Sequence, residues 1–165
     1  MPDPQTAPTI RTDLRPGDLG AVVGLHGVVY AREYGFDATF EAYVAAPLAE
    51  FVRSGPDRGR LWLAERDGRL VGSIAIVPAA PEAAQLRWFL VAPAARGAGL
   101  GRRLMGEALA FCRESGFRSV FLWTVSALTA AARLYRDTGF VKVEEKPGRL
   151  WSVDVVEEKY ELALP

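Results

Sequence analysis

The chain has 165 residues, half of them hydrophobic and 24% charged, which suits one globular domain with a sizeable core and excludes wholesale disorder. Lys+Arg and Asp+Glu both number 20, so the formal net charge is zero and a globally basic nucleic-acid binder is not expected. One cysteine, Cys112, and one histidine, His26, exclude an intramolecular disulfide, a CxxC motif and metal sites built from Cys and His.

Residues 1–8 read as a loose, Pro-rich arm, with neither the basic start nor the apolar stretch of a signal peptide. A single domain is expected over 9–165, with Thr9-Ile10-Arg11 entering a first strand. Asp18 is a candidate N-cap for a first helix whose Leu19, Val22, Val23, His26, Val29 and Tyr30 recur at helical spacing. His26 lies on that apolar face and reads as a core or cleft-edge residue. A Ser-His-Asp triad would have to use it, and no GxSxG elbow supplies the serine. A second helix follows Asp37 or Thr39, with Phe40, Tyr43, Val44, Leu48 and Phe51 inward and a kink expected at Pro47.

Leu61–Ala64 and Leu70–Ile76 read as two strands joined at Asp67-Gly68, a hairpin signal, and Pro78–Pro81 reads as a loop. Gln85–Val91 reads as a buried strand, followed by a Gly-rich turn and a helix from about Gly99 to Ser115. On that helix Leu100, Leu104, Ala108 and Phe111 form one stripe. A strand over 119–124, a short helix from about Ala127 to Asp137 stopped by Gly139, and strands at Val141–Glu144 and Trp151–Leu162 complete the chain. The Trp-bearing last strand either pairs across a homodimer or finishes the sheet. The longest charge-free run, Ser119–Ala132, is 14 residues and includes several Ser and Thr, too short and polar to span a bilayer. The expectation is a cytoplasmic α/β or α+β domain with one central sheet, with no membrane association and no metal.

The even charge balance conceals a pattern. Residues 87–136 carry 8 arginines against only Glu107 and Glu114, while the segments on either side each carry a net charge of −3. A central basic segment between acidic flanks suggests a local anion site. Arg96-Gly97-Ala98-Gly99-Leu100-Gly101-Arg102-Arg103 lies within it, between a strand and a helix. Glycines there permit positive φ and close approach to bare backbone, and the free N–H groups of the helix's first turn suit a phosphate. A P-loop would need a lysine after the last glycine, and a dinucleotide fold would need GxGxxG where this chain has GxGxG.

Arg96-Gly97-Ala98-Gly99-Leu100-Gly101 resembles the Q/R-x-x-G-x-G/A signature of the GNAT acetyltransferases. Phe89-Leu90-Val91-Ala92-Pro93 is similar to the strand that precedes it in that family, and Ala131–Phe140 resembles the A-x-x-L-Y-x-x-x-G-F segment that follows. Within the family, Leu86–Phe89 and Phe121–Val125 look most like modules that follow MarR-type winged helices in some bacterial proteins, although this chain has no room for that DNA-binding half. The resemblance implies a mixed sheet of about 6–7 strands flanked by helices, with central parallel strands at 85–91 and 119–124 splaying apart.

It further implies acetyl-CoA in the gap, its pyrophosphate on the amides of Gly97, Ala98, Gly99, Leu100, Gly101 and Arg102 beside Arg96. The pantetheine would run along Phe89, Leu90 and Val91, with Ala132 also contacting the cofactor. Tyr135 occupies the family's general-acid position for the departing thiolate. An amine acceptor, a small molecule or a protein or peptide amine, would enter past Tyr30, Glu33, Tyr34, Glu41 and Trp123, with Glu33 or Glu41 as a base through water. Competing expectations are a non-catalytic acyl-CoA-sensing module and a nucleotide-binding domain.

Overall fold

Residues 6–165 are described by the structure, a computed structural model; of the expected arm, residues 1–5 lie outside the described part and Thr6–Pro8 adopt no regular structure. The first strand, β1 (Thr9–Arg11), leads into helix α1 (Asp18–Tyr34). Asp18 is the first helical residue and not the cap, because Gly17 takes the cap position at φ 94°. The Asp18 carboxylate instead accepts the Arg15 N–H at 2.7 Å and pairs with Arg11, which also reaches Glu65. Helix α2 (Ala38–Ser54) is capped by Asp37, whose side chain accepts the Thr39 N–H at 2.9 Å, and it runs on through Pro47.

Strands β2 (Arg60–Arg66) and β3 (Arg69–Ala80) form the expected hairpin, with Asp67 and Gly68 at φ 53° and 72°. A two-residue turn with both positions left-handed matches the twist of its strands, which is why Asp-Gly signals it. The stretch Pro78–Pro81 is no loop. β3 continues to Ala80 and pairs with β4 (Ala83–Val91), so only Pro81-Glu82 remain as the turn. A 3-10 turn at Pro93–Ala95 precedes α3 (Leu100–Glu114), then β5 (Ser119–Val125), α4 (Thr129–Thr138), β6 (Val141–Leu150) and β7 (Val153–Ala163).

The strands form one sheet in the order β1-β2-β3-β4-β5-β7-β6, antiparallel everywhere except between β4 and β5. β7 lies between β5 and β6 with both edges paired, so it is an interior strand and β6 forms the edge of the sheet. The expected strand Trp151–Leu162 starts later. Trp151 and Ser152, at φ 54° and 67°, form the turn between β6 and β7.

Two cores cover the two faces of the sheet. One, under α3 and α4, contains Ile74, Ile76, Leu104, Val120 and Tyr160; the other, under α1 and α2, contains Val22, Leu48, Leu63 and Val125. Each such aliphatic side chain contributes about 1.5–3 kcal/mol over an exposed one. Tyr43, expected inward, is 49% exposed. Among the described residues no helix is long and apolar enough to cross a membrane.

Two irregularities position the site. β4 and β5 pair only at Ala83↔Ser119, Ala84↔Val120 and Gln85↔Phe121, and beyond those pairs the strands separate. On its other edge β4 bulges: the register with β3 jumps between Ala75↔Arg87 and Ser73↔Leu90, with Trp88 at φ 49°. The buried Ser73 hydroxyl donates to Trp88 O at 2.7 Å and holds the bulge. Its effect is to exchange faces. Ala84 and Leu86 belong to the core under α3 and α4, whereas Trp88 and Leu90, of the same parity, belong to the core under α1 and α2.

Candidate functional site

The turn between β4 and α3 presents bare backbone at the mouth of the splay. Gly97 and Gly99 sit at φ 86° and 83°, and a Cβ at either would meet nothing within 4 Å. The Arg103 N–H closes the first helical turn on Gly99 O at 3.0 Å, and no side chain caps the helix. The N–H groups of Leu100, Gly101 and Arg102 therefore have no intrahelical acceptor and lie at the positive end of the α3 dipole.

A cleft of about 330 Å³ opens there. Phe89, Leu90 and Val91 form its strand wall, Arg96, Gly97 and Gly99–Arg102 its glycine-turn wall, and Ala130, Ala131, Arg133 and Leu134 of α4 the opposite side. Val29, Tyr30 and Tyr34 of α1 complete it. Of the residues expected to bind a cofactor, Ala132 is turned away: it is buried in the core under α4, and its neighbours Ala130 and Ala131 line the cleft. Ala98 is exposed on the turn but is not among the lining residues.

The arginines are not simply free charges. Arg96 pairs with Glu33 of α1 at 2.8 Å and donates from Nε to Val91 O at 3.1 Å, which ties the turn to both α1 and β4. Arg102 pairs with Asp137 at the end of α4 at 2.8 Å. Arg133 lines the cleft, is exposed, and makes no ion pair with any described residue. Sequence reasoning missed it. The available signal was its place two residues before Tyr135 within the basic segment.

A second cavity, of about 120 Å³, occupies the gap between the separated strands. Its strand walls are Gln85–Phe89 of β4 and Leu122–Val125 of β5, and it shares Tyr30, Phe89 and Leu128 with the first cleft. Tyr135 projects from α4 into this junction, its ring 6.2 Å from Phe89 and 5.7 Å from Tyr160. Burial, with Tyr30 and Tyr160 adding to it, pushes the Tyr135 phenol far above its usual range. Burial does the same to Tyr30. Among the described residues none hydrogen-bonds the Tyr135 hydroxyl.

The residues expected around an acceptor divide. Tyr30 and Trp123 line the second cavity, with Lys146 lying 4.6 Å over the Trp123 ring. Tyr34 lines the first cleft instead, and Glu33 is held by Arg96. Glu41 packs so closely over Gly27 that a Cβ there would lie 2.1 Å from its Oε1, and it lines neither cavity. Four further aromatic residues, Phe36, Phe40, Tyr43 and Trp151, line the second cavity, as do His26, Thr124 and Glu157. Trp151 reaches it from the β6–β7 turn, whose carbonyl accepts the Asp37 N–H at 3.1 Å and whose Ser152 hydroxyl bonds the Asp37 carboxylate.

Comparison with known proteins agrees with this architecture. Residues 28–140 match the family model described as the acetyltransferase (GNAT) family. An uncharacterized N-acetyltransferase of Schizosaccharomyces pombe is 31% identical over 120 residues, 70% of this chain and 72% of that protein. The uncharacterized N-acetyltransferase YjgM of Escherichia coli is 32% identical over 129 residues, covering 75% and 77%. Among solved structures, yncA of Salmonella typhimurium, determined with its cofactor acetyl-CoA, aligns with a TM-score of 0.78 over 97% of this chain and 95% of that one. At 19% identity that likeness is one of fold.

Proposed function

The chain belongs to the GNAT acetyltransferase family, and from that premise we propose that it moves an acetyl group from acetyl-CoA to a primary amine by direct attack. The observation that carries the reading is the junction of the two cavities at Tyr30, Phe89 and Leu128, with the open glycine turn at one end and Tyr135 at the other. The pyrophosphate suits the free amides of Leu100–Arg102, with Arg133 supplying unpaired charge. The pantetheine suits the Phe89–Val91 edge of β4, which lies beyond the last pair with β5 at Gln85 and lines the first cleft.

In the reaction the neutral amine nitrogen bonds to the thioester carbon, the C–S bond breaks, and the proton the amine loses passes to water, from which the Tyr135 phenolate is reprotonated after turnover. A backbone N–H near Phe89–Val91 would polarise the carbonyl as negative charge develops on its oxygen. Tyr135 gives its phenolic proton to the departing sulfur. Its raised pKa keeps that proton in place at neutral pH, and the same dry surroundings that destabilise tyrosinate also destabilise the thiolate. The working compartment we assign is the cytoplasm. The likeness of Leu86–Phe89 and Phe121–Val125 to modules found beside MarR-type winged helices supports a bacterial-type setting.

A non-catalytic acyl-CoA sensor is the second reading, favoured by one observation: of the carboxylates expected near the acceptor, Glu33 is held by Arg96 and Glu41 lies over Gly27 and lines neither cavity. Thermal unfolding with acetyl-CoA, CoA, ATP and NAD tests the ligand. At 100 times Kd a ligand stabilises by about 2.7 kcal/mol, and Gly99→Glu abolishes the shift while Gly99→Asn, tolerant of positive φ, retains it. Thiol release from acetyl-CoA with an amine panel then separates the two readings. Turnover that falls roughly 100-fold or more in Tyr135→Phe supports the enzyme, and its absence with every amine supports the sensor. A well-folded protein that CoA species leave unshifted refutes both.

A further inference from the structure

The second cavity contains a polar atom with nothing to bind. His26 is 3% exposed, and its Nδ1 lies 2.8 Å from the carbonyl oxygen of Val22. A carbonyl only accepts, so Nδ1 carries the ring hydrogen and donates it. Nε2 of the neutral ring is then a lone-pair acceptor. It is buried and has no partner among the described residues. Native structures rarely leave such an atom unsatisfied. The ring is fixed besides, stacked nearly parallel to Tyr30 at 2° with centroids 6.0 Å apart.

The rest of the cavity narrows what satisfies Nε2. Phe36, Phe40, Trp88 and Trp151 give flat apolar walls, and Thr124 Oγ1 is a second buried polar atom without a partner among the described residues. Among the described residues that line it, the charged side chains are Arg87 and Glu157. Arg87 lies 4.9 Å over the Trp88 ring. A volume of about 120 Å³ suits a compact body.

We propose that His26 Nε2 receives an N–H of the acceptor, and that the acceptor is a primary amine on a compact apolar or aromatic body. The proposal rests on the acetyltransferase reading of the site and deepens it. His26 is an amine-binding residue here. One N–H held by Nε2 orients the nitrogen, Thr124 Oγ1 and the Glu157 carboxylate are further acceptors in the lining, and the aromatic faces attract the nitrogen's positive charge before it is lost. Burial makes the imidazole a poor store for a proton, so its part is to hold the nitrogen in place.

His26 is the chain's only histidine, which gives the test a single signal. Tag-free protein labelled with ¹⁵N-histidine is titrated with benzylamine, n-butylamine, toluene and an alanyl tripeptide, with and without acetyl-CoA. The free protein is expected to show the Nδ1–H tautomer, and benzylamine or n-butylamine to move the Nε2 resonance upfield while toluene leaves it in place. His26→Phe, which keeps the ring without the lone pair, weakens benzylamine binding about tenfold and leaves toluene binding and the acetyl-CoA thermal shift unchanged. His26→Gln, which restores an acceptor, recovers part of the loss.

An Nε2–H tautomer, an Nε2 signal unmoved by saturating amine, or equal benzylamine affinity in His26→Phe overturns the proposal. Tripeptide binding tighter than either small amine overturns its substrate class. If acetyl-CoA gives no shift, the acetyltransferase reading fails by itself, and the amine titration still decides whether His26 binds an amine.

Discussion

Replacing His26 by phenylalanine should change how stability responds to acid. Burial, with a smaller opposing effect from the bond to Val22, holds the folded-state pKa at about 4, against 6.5 when exposed. Between those values the unfolded chain binds a proton that the native state refuses, so stability falls as pH drops. The contribution is intact above pH 6.5 and is lost progressively toward pH 4. Integrated from pH 7 to pH 5, the difference in proton uptake amounts to about 2 kcal/mol. Urea unfolding of both proteins at the two pH values measures it. The carboxylates titrate alike in each, so wild type should lose about 2 kcal/mol more than His26→Phe. Equal losses would refute the claim that the imidazole is buried without compensation.

Ser73→Ala removes the donor to Trp88 O and should cost about 1–3 kcal/mol, read as a lower urea midpoint with an unchanged m-value. Asp37→Ala removes the α2 cap together with the bond to Ser152. It should cost about 1–2 kcal/mol by thermal unfolding and raise KM for the amine, because the turn carrying Trp151 loses its tether. Gly139→Ala forces a side chain to φ 110° and sets its Cβ 3.3 Å from Leu162, at an expected cost of about 1–2 kcal/mol by urea unfolding.

The glycine turn, the β2–β3 hairpin and the helix carrying Tyr135 were legible in the sequence because each depends on local chemistry. Asp-Gly specifies a turn type, Gly97 and Gly99 fit left-handed backbone, and Gly139 stops α4 at φ 110°. The β4 bulge was not legible. Ala84, Leu86, Trp88 and Leu90 alternate without a break, and the switch of faces between Leu86 and Trp88 leaves that alternation unchanged. The β6–β7 turn was hidden for a related reason, since Trp151-Ser152 contains neither glycine nor asparagine. Tyr43 has the spacing of a core residue, yet it stands 49% exposed at the cavity rim beside Trp151, 5.3 Å between ring centroids. The spacing of Glu33 from the glycine turn gave no hint that Arg96 would hold it, because that contact joins α1 to a segment some 60 residues away.

An ordinary open sheet has two edges, and proteins protect both, because unpaired strand backbone invites another chain to add on. The separation of β4 from β5 gives this sheet two more, facing each other inside the molecule. Leu86, Phe89 and Leu122 there are apolar and unbroken by proline, and Arg87 is the charged side chain that these strands contribute to the gap. Tyr30 of α1 and Tyr135 of α4 help line the wedge between the two strands. Colloidal stability and ligand binding thus depend on the same wall. A variant that loosens α4 to admit bulkier ligands would also expose adhesive strand edges, and its solubility without ligand should fall before its fold does.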